Sequence, residues 1–283
     1  MPIKENKFSF QSFAAARLID THAHLNFSAY KGDADEVIRR SLSDDVWMIN
    51  VGSQYATSKR AVEIAEKYPE GIYAAIGLHP IYSQDGFSDE KYRALAKSSK
   101  VKAIGEIGLD YKSEYASTKE KQKEVFLQQL NLAKELNLPV IFHCRQAHDA
   151  LINTLKTCSG ASLLSQRQTH GLPEARSEAL LRGVVHCFTG TWLQAEKYLE
   201  MGFYLGFNGI IFKLKLDEVI KKTPLDRILI ETDCPYLTPP QETGRNEPLY
   251  VKHVAEKIAK IKGLSYKEIA LITTKNGKTL FNI

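Results

Sequence analysis

The sequence predicts a single (β/α)8 barrel, the TIM-barrel form of the α/β class, and three observations predict it. The chain has 283 residues, which suits one such barrel of about 250 residues. Short β-rich runs alternate along the chain with stretches of helical pattern. Several of these runs are almost continuously apolar, which is typical of strands buried on both faces of a parallel sheet. The alternative is an open doubly wound sheet, but its nucleotide-binding form carries a glycine fingerprint after an early strand, and none occurs here.

Eight candidate strands follow one another in the order that a barrel requires. They span residues 18–22, 46–51, 72–77, 101–106, 140–143, 183–186, 203–207 and 227–231. The helical stretches between them include 57–68 and 119–138. In the second of these, Val125, Phe126 and Leu130 belong to an apolar stripe at about helical spacing.

One domain accounts for residues 18–283, because no linker-like composition divides this part of the chain. Residues 1–17 form an N-terminal extension that lacks the continuous apolar core of a signal peptide. Residues 157–182 lengthen the connection between the fifth and sixth strands. We predict that this insertion lies on the amino-terminal face of the barrel, away from catalysis, with His170 as a loop residue.

The composition is that of an ordinary globular protein, with 43% hydrophobic and 25% charged residues. A net charge of +5 weakly favours acidic partners such as nucleic acid. No apolar run reaches the roughly 18 residues of a transmembrane helix. The four cysteines, which form no C-x-x-C pair, favour a reducing, cytoplasmic setting. Cys144, Cys187 and Cys234 each follow a His or Asp at a strand end, so we expect them to point away from that neighbour as small buried thiols.

The strand ends carry the residues that could bind a metal ion. In THAH, His22 and His24 are two residues apart, so they point to the same face of the first strand, with Asp20 below them. Each side chain alone could simply shape a turn, cap a segment or make a structural hydrogen bond. Together they converge on one mouth, because barrel strands direct their carboxyl ends to the same face. Imidazole and carboxylate ligands suit Zn, Mn or Mg. Besides His22 and His24, the candidates at strand ends are His79 in GLHP, Glu106 in GEIGLDY, His143 in FHCR, His186 in VHCF and Asp233 in ETDCP.

From about residue 18 to residue 281, the sequence resembles the TatD family of metal-dependent deoxyribonucleases, which are amidohydrolase-like barrels. The motifs that carry the resemblance, in the family order, are DTHAHL, GLHP, GEIGLDY, FHCR, VHCFTG, ETDCP, GRNEP and NGKTLF. The resemblance implies two divalent metal ions, Mg, Mn or Zn, bridged by Glu106. With Glu106, one ion would be bound by His22, His24 and Asp233, and the other by His143 and His186.

Two ions about 3.5–4 Å apart can hold the attacking and leaving oxygens of a phosphodiester and lower the pKa of a bound water. We therefore assign catalytic roles to Glu106 and to Asp233, which would orient the water or accept its proton. Glu231 either contacts a metal-binding residue without binding the metal itself, or forms a buried pair with a basic residue such as Arg227. Asp110 either orients a ligand histidine or caps a loop.

We assign substrate contacts to Arg145, Arg245 and His79. Arg145 either binds phosphate or forms a surface ion pair, whereas Arg245 is favoured for bidentate phosphate binding because the resemblance places GRNEP beside the site. Aromatic side chains near the mouth would either stack on unpaired bases or pack in the core; they are Tyr111, Phe188, Trp192 and Tyr236.

The resemblance implies a 3′–5′ exodeoxyribonuclease acting on single-stranded or frayed DNA ends, with RNA and tRNA left open as substrates. A metal-dependent ester or amide hydrolase, such as an aminoacyl-tRNA deacylase, would have the same metal ligands. A non-catalytic binding module would be expected to have lost a ligand, and none is missing here. We expect a cytoplasmic monomer with no membrane partner.

Overall fold

The computed structural model describes residues 17–166 and 181–283, with backbone only for residues 159–166. Apart from Arg17, the predicted N-terminal extension lies outside the described residues, as does His170. The helix that begins at His148 runs to Gln166, so the first part of the predicted insertion continues this helix. The rest of the insertion, up to residue 180, lies outside the described residues.

The predicted barrel is confirmed. Eight parallel strands pair in sequence order, each with the next. They are β1 (Leu18–Ala23), β2 (Val46–Val51), β3 (Ile72–Ile76), β4 (Val101–Asp110), β5 (Val140–Arg145), β6 (Gly183–Val185), β7 (Tyr204–Phe207) and β8 (Ile228–Ile230). The backbone pairing of Ala23 with Cys234 joins the end of β1 to the segment after β8 and closes the barrel.

Helices alternate with these strands and cover the outside of the barrel. They are α1 (Ala34–Ser43), α2 (Tyr55–Glu66), α3 (Asp89–Leu95), α4 (Lys119–Glu135), α5 (His148–Gln166), α6 (Trp192–Glu200), α7 (Asp217–Lys222), α8 (Val251–Lys262) and α9 (Tyr266–Phe281). Local signals set their ends. Helix α9 begins at a capping box in which Ser265 and Glu268 exchange hydrogen bonds, and α8 ends at Gly263, whose φ of 68° suits glycine.

The apolar core is divided between two places. The larger cluster lies between the strands and the helices, and includes the stripe of α4 at Val125, Phe126 and Leu130. A smaller cluster that includes Ile141, Val184 and Leu229 fills the inside of the barrel. Because strand side chains alternate between faces, each of these inward residues is followed two positions later by a polar residue at the mouth of the barrel, and these are His143, His186 and Glu231.

Helix α4 also carries two buried glutamines that fix the strand ends. The Gln122 side chain exchanges two hydrogen bonds of 2.8 Å with the backbone of Asp110 at the end of β4. Gln129 does the same for Leu78, just before His79, at 2.7 and 2.9 Å. No helix among the described residues is long and apolar enough to cross a bilayer.

A candidate metal centre at the carboxyl ends of the strands

The structure brings the predicted histidines and acids together at the mouth of the barrel. His22 lies in β1, Glu106 in β4 and His143 in β5. His186 and Asp233 follow β6 and β8, and His24 follows β1. His22, His24, Glu106 and His186 are at most 4% exposed. Residues from five different strands or strand ends therefore meet in one cluster that is closed to most solvent.

Glu106 is the centre of the cluster, and its two oxygens face different histidines. Oε1 lies 2.6 Å from His143 Nδ1 and 3.4 Å from His186 Nε2. Oε2 lies 3.5 Å from His22 Nε2 and 4.0 Å from His24 Nε2. His79 Nε2 also lies 3.6 Å from Oε1. The carboxylate thus divides the histidines into two sets, one on each oxygen.

Asp233 joins the pair on the Oε2 side. Its Oδ1 lies 3.4 Å from His24 Nε2 and 3.9 Å from His22 Nε2. The Asp233 side chain is 16% exposed, compared with 5% for Glu106. Asp233 is therefore the carboxylate of the cluster that water reaches more easily.

Three of the histidines are held from behind by hydrogen-bond acceptors. His24 Nδ1 donates to the Val51 carbonyl at 2.8 Å, and His143 Nε2 donates to Asp110 Oδ2 at 3.0 Å. His186 Nδ1 donates to Glu231 Oε1 at 2.9 Å. In the neutral form of each imidazole, the rear nitrogen carries the proton and the other nitrogen presents a lone pair to the cluster. Burial alone would lower the pKa of His143 and His186, but Glu106 with Asp110 raises that of His143, and Glu231 with Glu106 raises that of His186 to about 10. A cation bound by these two histidines would therefore displace a proton from each. This donor set of imidazole nitrogens and carboxylate oxygens fits divalent cations.

The charges at the mouth also suit a cation. Burial alone would raise the pKa of the Glu106 carboxyl, but the histidines around it, His79 and His186 foremost, bring that pKa well below its usual range. Burial likewise opposes ionisation of Asp233, yet its hydrogen bond with His24 and the nearby imidazoles lower its pKa. Burial, reinforced by His186, lowers the pKa of His22 to about 4. The two acids are thus anionic and the His22 imidazole is neutral near neutral pH.

The ligand atoms lie close enough for metal coordination. Two groups contain Glu106, one with His22 and His24 and the other with His79 and His143, and within each group the ligand atoms lie within 4.8 Å of one another. His79, predicted as a substrate contact, therefore lies inside the cluster, with its Nε2 3.1 Å from His143 Nδ1.

The two predicted arginine contacts are placed differently. Arg145, at the end of β5, is exposed and has no acidic partner among the described residues. Arg245 instead holds Asp33 through hydrogen bonds of 3.0 and 2.5 Å and stacks over the ring of Tyr30 at 4.0 Å. The guanidinium of Arg245 is thus engaged within the protein, and its phosphate contact stays a prediction.

The structure decides between the alternatives for two acids. Glu231 contacts His186, and Arg227 lies instead 3.7 Å from Asp226, so a Glu231–Arg227 pair is wrong. Asp110 contacts His143 and also accepts the Lys112 N–H at 3.0 Å, so it orients the histidine and caps the loop.

Sequence reasoning missed Asn246, which lies in the GRNEP motif next to Arg245. Its Nδ2 donates to the carbonyls of Thr232 and Tyr236 at 3.0 and 2.6 Å, on either side of Asp233 in the sequence. Asn246 is 1% exposed. It therefore fixes the backbone that presents Asp233, and the GRNEP motif was the signal that could have revealed it.

Among the aromatic candidates, Phe188 is fully buried and packs near Tyr198, so of its two predicted roles the structure supports core packing. Tyr236 is 55% exposed, and its N–H donates to the Asp233 carbonyl. Tyr111 and Trp192 are partly buried against the core. Tyr236 is thus the most exposed of the four rings.

A parallel barrel with imidazoles and carboxylates gathered at the carboxyl ends of its strands defines a metal-dependent hydrolase of the TIM-barrel type. The chain belongs to the family described as TatD related DNase, whose model matches residues 19–282. The resemblance drawn from the motifs is thereby confirmed.

Individual relatives agree with this assignment. The chain is 45% identical to the uncharacterized metal-dependent hydrolase YabD of Bacillus subtilis, over 94% of this chain and 99% of that protein. It is 34% identical to the 3′-5′ ssDNA/RNA exonuclease TatD of Escherichia fergusonii, over 94% of this chain and 99% of that protein. Among solved structures, the TatD homologue YjjV of Escherichia coli K12 superimposes with a TM-score of 0.80 at 32% identity, covering 95% of this chain and 99% of that one.

Proposed function

We propose that this hydrolase is a two-metal exonuclease that removes nucleotides from the 3′ ends of single-stranded DNA. The observation that carries the proposal is the division of the ligand cluster by Glu106, whose two oxygens face two separate sets of histidines. A bridging carboxylate between two divalent ions has this arrangement. A relative named as a 3′-5′ ssDNA/RNA exonuclease, 34% identical over most of the chain, supports the choice of substrate and direction.

The proposed ligands follow the two sides of Glu106. His22, His24 and Asp233 would bind one ion, and His143 and His186 would bind the other. Divalent ions, when bound, supply Lewis acidity toward phosphoryl oxygens and lower the pKa of a water molecule. Asp110, Glu231 and the Val51 carbonyl hold the imidazoles in the orientation that binding requires.

Asp233 is the proposed proton acceptor. It combines contact with His24, a lowered pKa and more solvent exposure than Glu106. An ionised carboxylate at the wet edge of the cluster can accept a proton from the attacking water and return it to solvent. Glu106, which is buried among histidines, serves instead to fix the positions of the ligands.

The substrate strand would enter beside Arg145 and Tyr236. Arg145 is an exposed cation at the end of β5 and can contact a backbone phosphate. Tyr236 presents an exposed ring three residues after Asp233 in sequence, and its N–H donates to the Asp233 carbonyl. Stacking on such a ring requires an unpaired base, which favours single strands over duplex.

The test uses purified full-length protein, stripped of metal and reloaded with Mg²⁺, Mn²⁺ or Zn²⁺, and a 5′-labelled single-stranded oligonucleotide. Removal of nucleotides from the 3′ end gives a descending ladder of labelled products. Attack from the 5′ end would instead release a labelled mononucleotide at once. We expect the ladder, and we expect Glu106→Gln to reduce its rate to that of the metal-free protein.

The matched control is Glu114→Gln, which makes the same chemical change at a surface residue whose side chain is 58% exposed. It should leave the ladder unchanged. Full activity of Glu106→Gln would contradict the proposed centre. Absence of any ladder with all three ions, together with deacylation of an aminoacylated tRNA in a parallel assay, would replace the nuclease by an ester hydrolase.

A further inference from the structure

Cys187 lies at the metal centre, where the sequence predicted a thiol turned away from it. It directly follows His186, and its φ of 46° departs from the strand conformation in which neighbouring side chains point to opposite faces. Its N–H donates to Glu231 Oε1 at 2.6 Å, the same oxygen that holds His186 Nδ1. One carboxylate thus fixes both His186 and the residue after it.

The thiol of Cys187 completes a third group of ligand atoms. Its sulfur, a nitrogen of His186 and an oxygen of Asp233 lie within 4.8 Å of one another. The other recorded contact of the sulfur is a long hydrogen bond of 3.6 Å to Asn208 Oδ1. Among the described residues, an incoming cation therefore has this one weak contact to displace.

We propose that His186, Cys187 and Asp233 form an accessory position for a thiophilic divalent cation, such as Zn²⁺, Co²⁺ or Cd²⁺. A set of one nitrogen, one sulfur and one oxygen suits these ions, whereas Mg²⁺ takes oxygen ligands and avoids sulfur. Coordination replaces the S–H bond with a metal–sulfur bond, and the proton passes to solvent.

An ion at this position should inhibit hydrolysis, an effect that rests on the proposed function. His186 and Asp233 are also the proposed ligands of the two catalytic ions, one on each side of Glu106. An ion bound through Cys187 withdraws a ligand from each. Excess thiophilic cation should therefore inhibit hydrolysis supported by Mg²⁺ or Mn²⁺, and the cysteine should set the concentration at which inhibition begins.

The other cysteines provide the controls. Cys144 and Cys234 are buried, at 6% and 0% exposure, and neither belongs to a ligand group among the described residues. Cys158 lies on helix α5, partly exposed and also outside these groups. Cys187→Ser removes the soft ligand while keeping a hydroxyl that can bond Asn208, and Cys158→Ser is the matched control.

The experiment is a titration of the metal-free full chain with Co²⁺, followed by absorption spectroscopy. The visible d–d bands report any bound Co²⁺, and a near-ultraviolet sulfur-to-cobalt charge-transfer band reports thiolate coordination. We expect both in the wild type and in Cys158→Ser. In Cys187→Ser we expect the charge-transfer band to be lost and the d–d bands to remain.

The outcomes separate this inference from the proposed centre. Visible bands without a charge-transfer band in the wild type, or a charge-transfer band that persists in Cys187→Ser, overturn the role of Cys187 and leave the centre standing. Absence of all Co²⁺ bands overturns the centre itself. As a second readout, inhibition of the Mn²⁺-supported reaction by Cd²⁺ should require more Cd²⁺ in Cys187→Ser than in the wild type, and equal inhibition in both contradicts the inference.

Discussion

Replacing Asp110 by Asn tests whether the acids behind the histidines control metal binding. Asp110 is 2% exposed, and its two oxygens have separate tasks. Oδ2 accepts the His143 Nε2–H at 3.0 Å, and Oδ1 accepts the Lys112 N–H at 3.0 Å. Burial would raise the pKa of Asp110, but its hydrogen bond and attraction to His143 lower it, so the substitution removes a negative charge.

The magnitude follows from this geometry. The Asn side chain has one oxygen for two donors, so either the His143 or the Lys112 N–H loses its acceptor. A buried donor left without a partner costs about 1–3 kcal/mol. Loss of a carboxylate behind a ligand histidine typically lowers metal affinity 10- to 100-fold, which corresponds to about 1.4–2.8 kcal/mol. We expect Asp110→Asn to weaken metal binding by an amount in this range.

The assay is a titration of metal-free protein with Zn²⁺ in competition with a chelating dye. Asp226→Asn is the control, because it removes the same charge from a side chain that is 72% exposed and 3.7 Å from Arg227. Circular dichroism of each metal-free variant shows whether it is folded before metal is added. The control should bind Zn²⁺ as the wild type does.

A folded Asp110→Asn protein with a Zn²⁺ affinity within about twofold of the wild type would refute the reasoning, since it would show that His143 needs no charged partner to bind metal. An equal loss of affinity in Asp226→Asn would also refute it, because the effect would then reflect net charge.

Three further predictions use other parts of the molecule. In Gly206→Ala, the new Cβ would clash with the Glu231 carboxylate that holds His186, so metal binding in the dye titration should weaken. Gly32→Ala is the control and should bind metal normally, because a Cβ at position 32 would have no atom within 4 Å. Burial lowers the pKa of His148 from 6.5 to about 4, so its contribution to stability is present above pH 6.5 and is lost as the pH falls to 4. In urea unfolding, His148→Gln should therefore lose less stability over this range than the wild type, by up to about 3 kcal/mol, and an identical loss would contradict the assignment. Arg145→Ala should raise KM for the oligonucleotide with little change in kcat, because a phosphate contact is made equally in ground and transition states; an unchanged KM would exclude Arg145 from binding.

Much of the site was predictable because strand geometry converts sequence spacing into direction. Ile141 and His143 are two residues apart in β5, so an inward apolar residue implies an inward histidine at the mouth. Val184 and His186 repeat the relation at β6, as the smaller core cluster shows. The barrel then brings together ends that are far apart in the sequence.

The end of β4 was harder to predict, since the strand runs to Asp110 and the sequence suggested an end at residue 106. Its pairing with β5 shifts register between Ile104 and Ile107. Gly108 then adopts a φ of 149°, and a Cβ there would clash with the His143 carbonyl. The chain continues as a strand because of its tertiary partner, which the local sequence does not specify.

Supporting contacts made by the backbone left no signal in the sequence. The Val51 carbonyl holds His24, yet any residue at position 51 would supply the same oxygen. Cys187 was placed on the wrong face because a left-handed φ at a non-glycine residue is uncommon and has no composition cue. Asn246 acts through two carbonyls that only the folded chain brings near its amide.

The fold buries several acidic side chains at this mouth, and their charge favours bound cations. Four carboxylates lie around the histidines, and none has a Lys or Arg ion-pair partner in the described parts of the chain: Glu106, Asp110, Glu231 and Asp233. Buried charges without compensation cost several kcal/mol each. Without metal, protonated His143 and His186 offset only part of this charge, since the carboxylates around them raise the pKa of both against burial, that of His186 to about 10. His22, with its pKa lowered by burial to about 4, supplies no positive charge near neutral pH. Asp20, a buried acid deeper in the barrel, provides a comparison. Burial raises its pKa to about 8, and the Thr232 hydroxyl donates a hydrogen bond to it. At the mouth, by contrast, the imidazoles around Glu106 and Asp233 lower the pKa values of both carboxyls against the effect of burial. Two divalent ions would bring four positive charges to four carboxylates, so the proposed metal pair balances the charge that these side chains bring into the barrel.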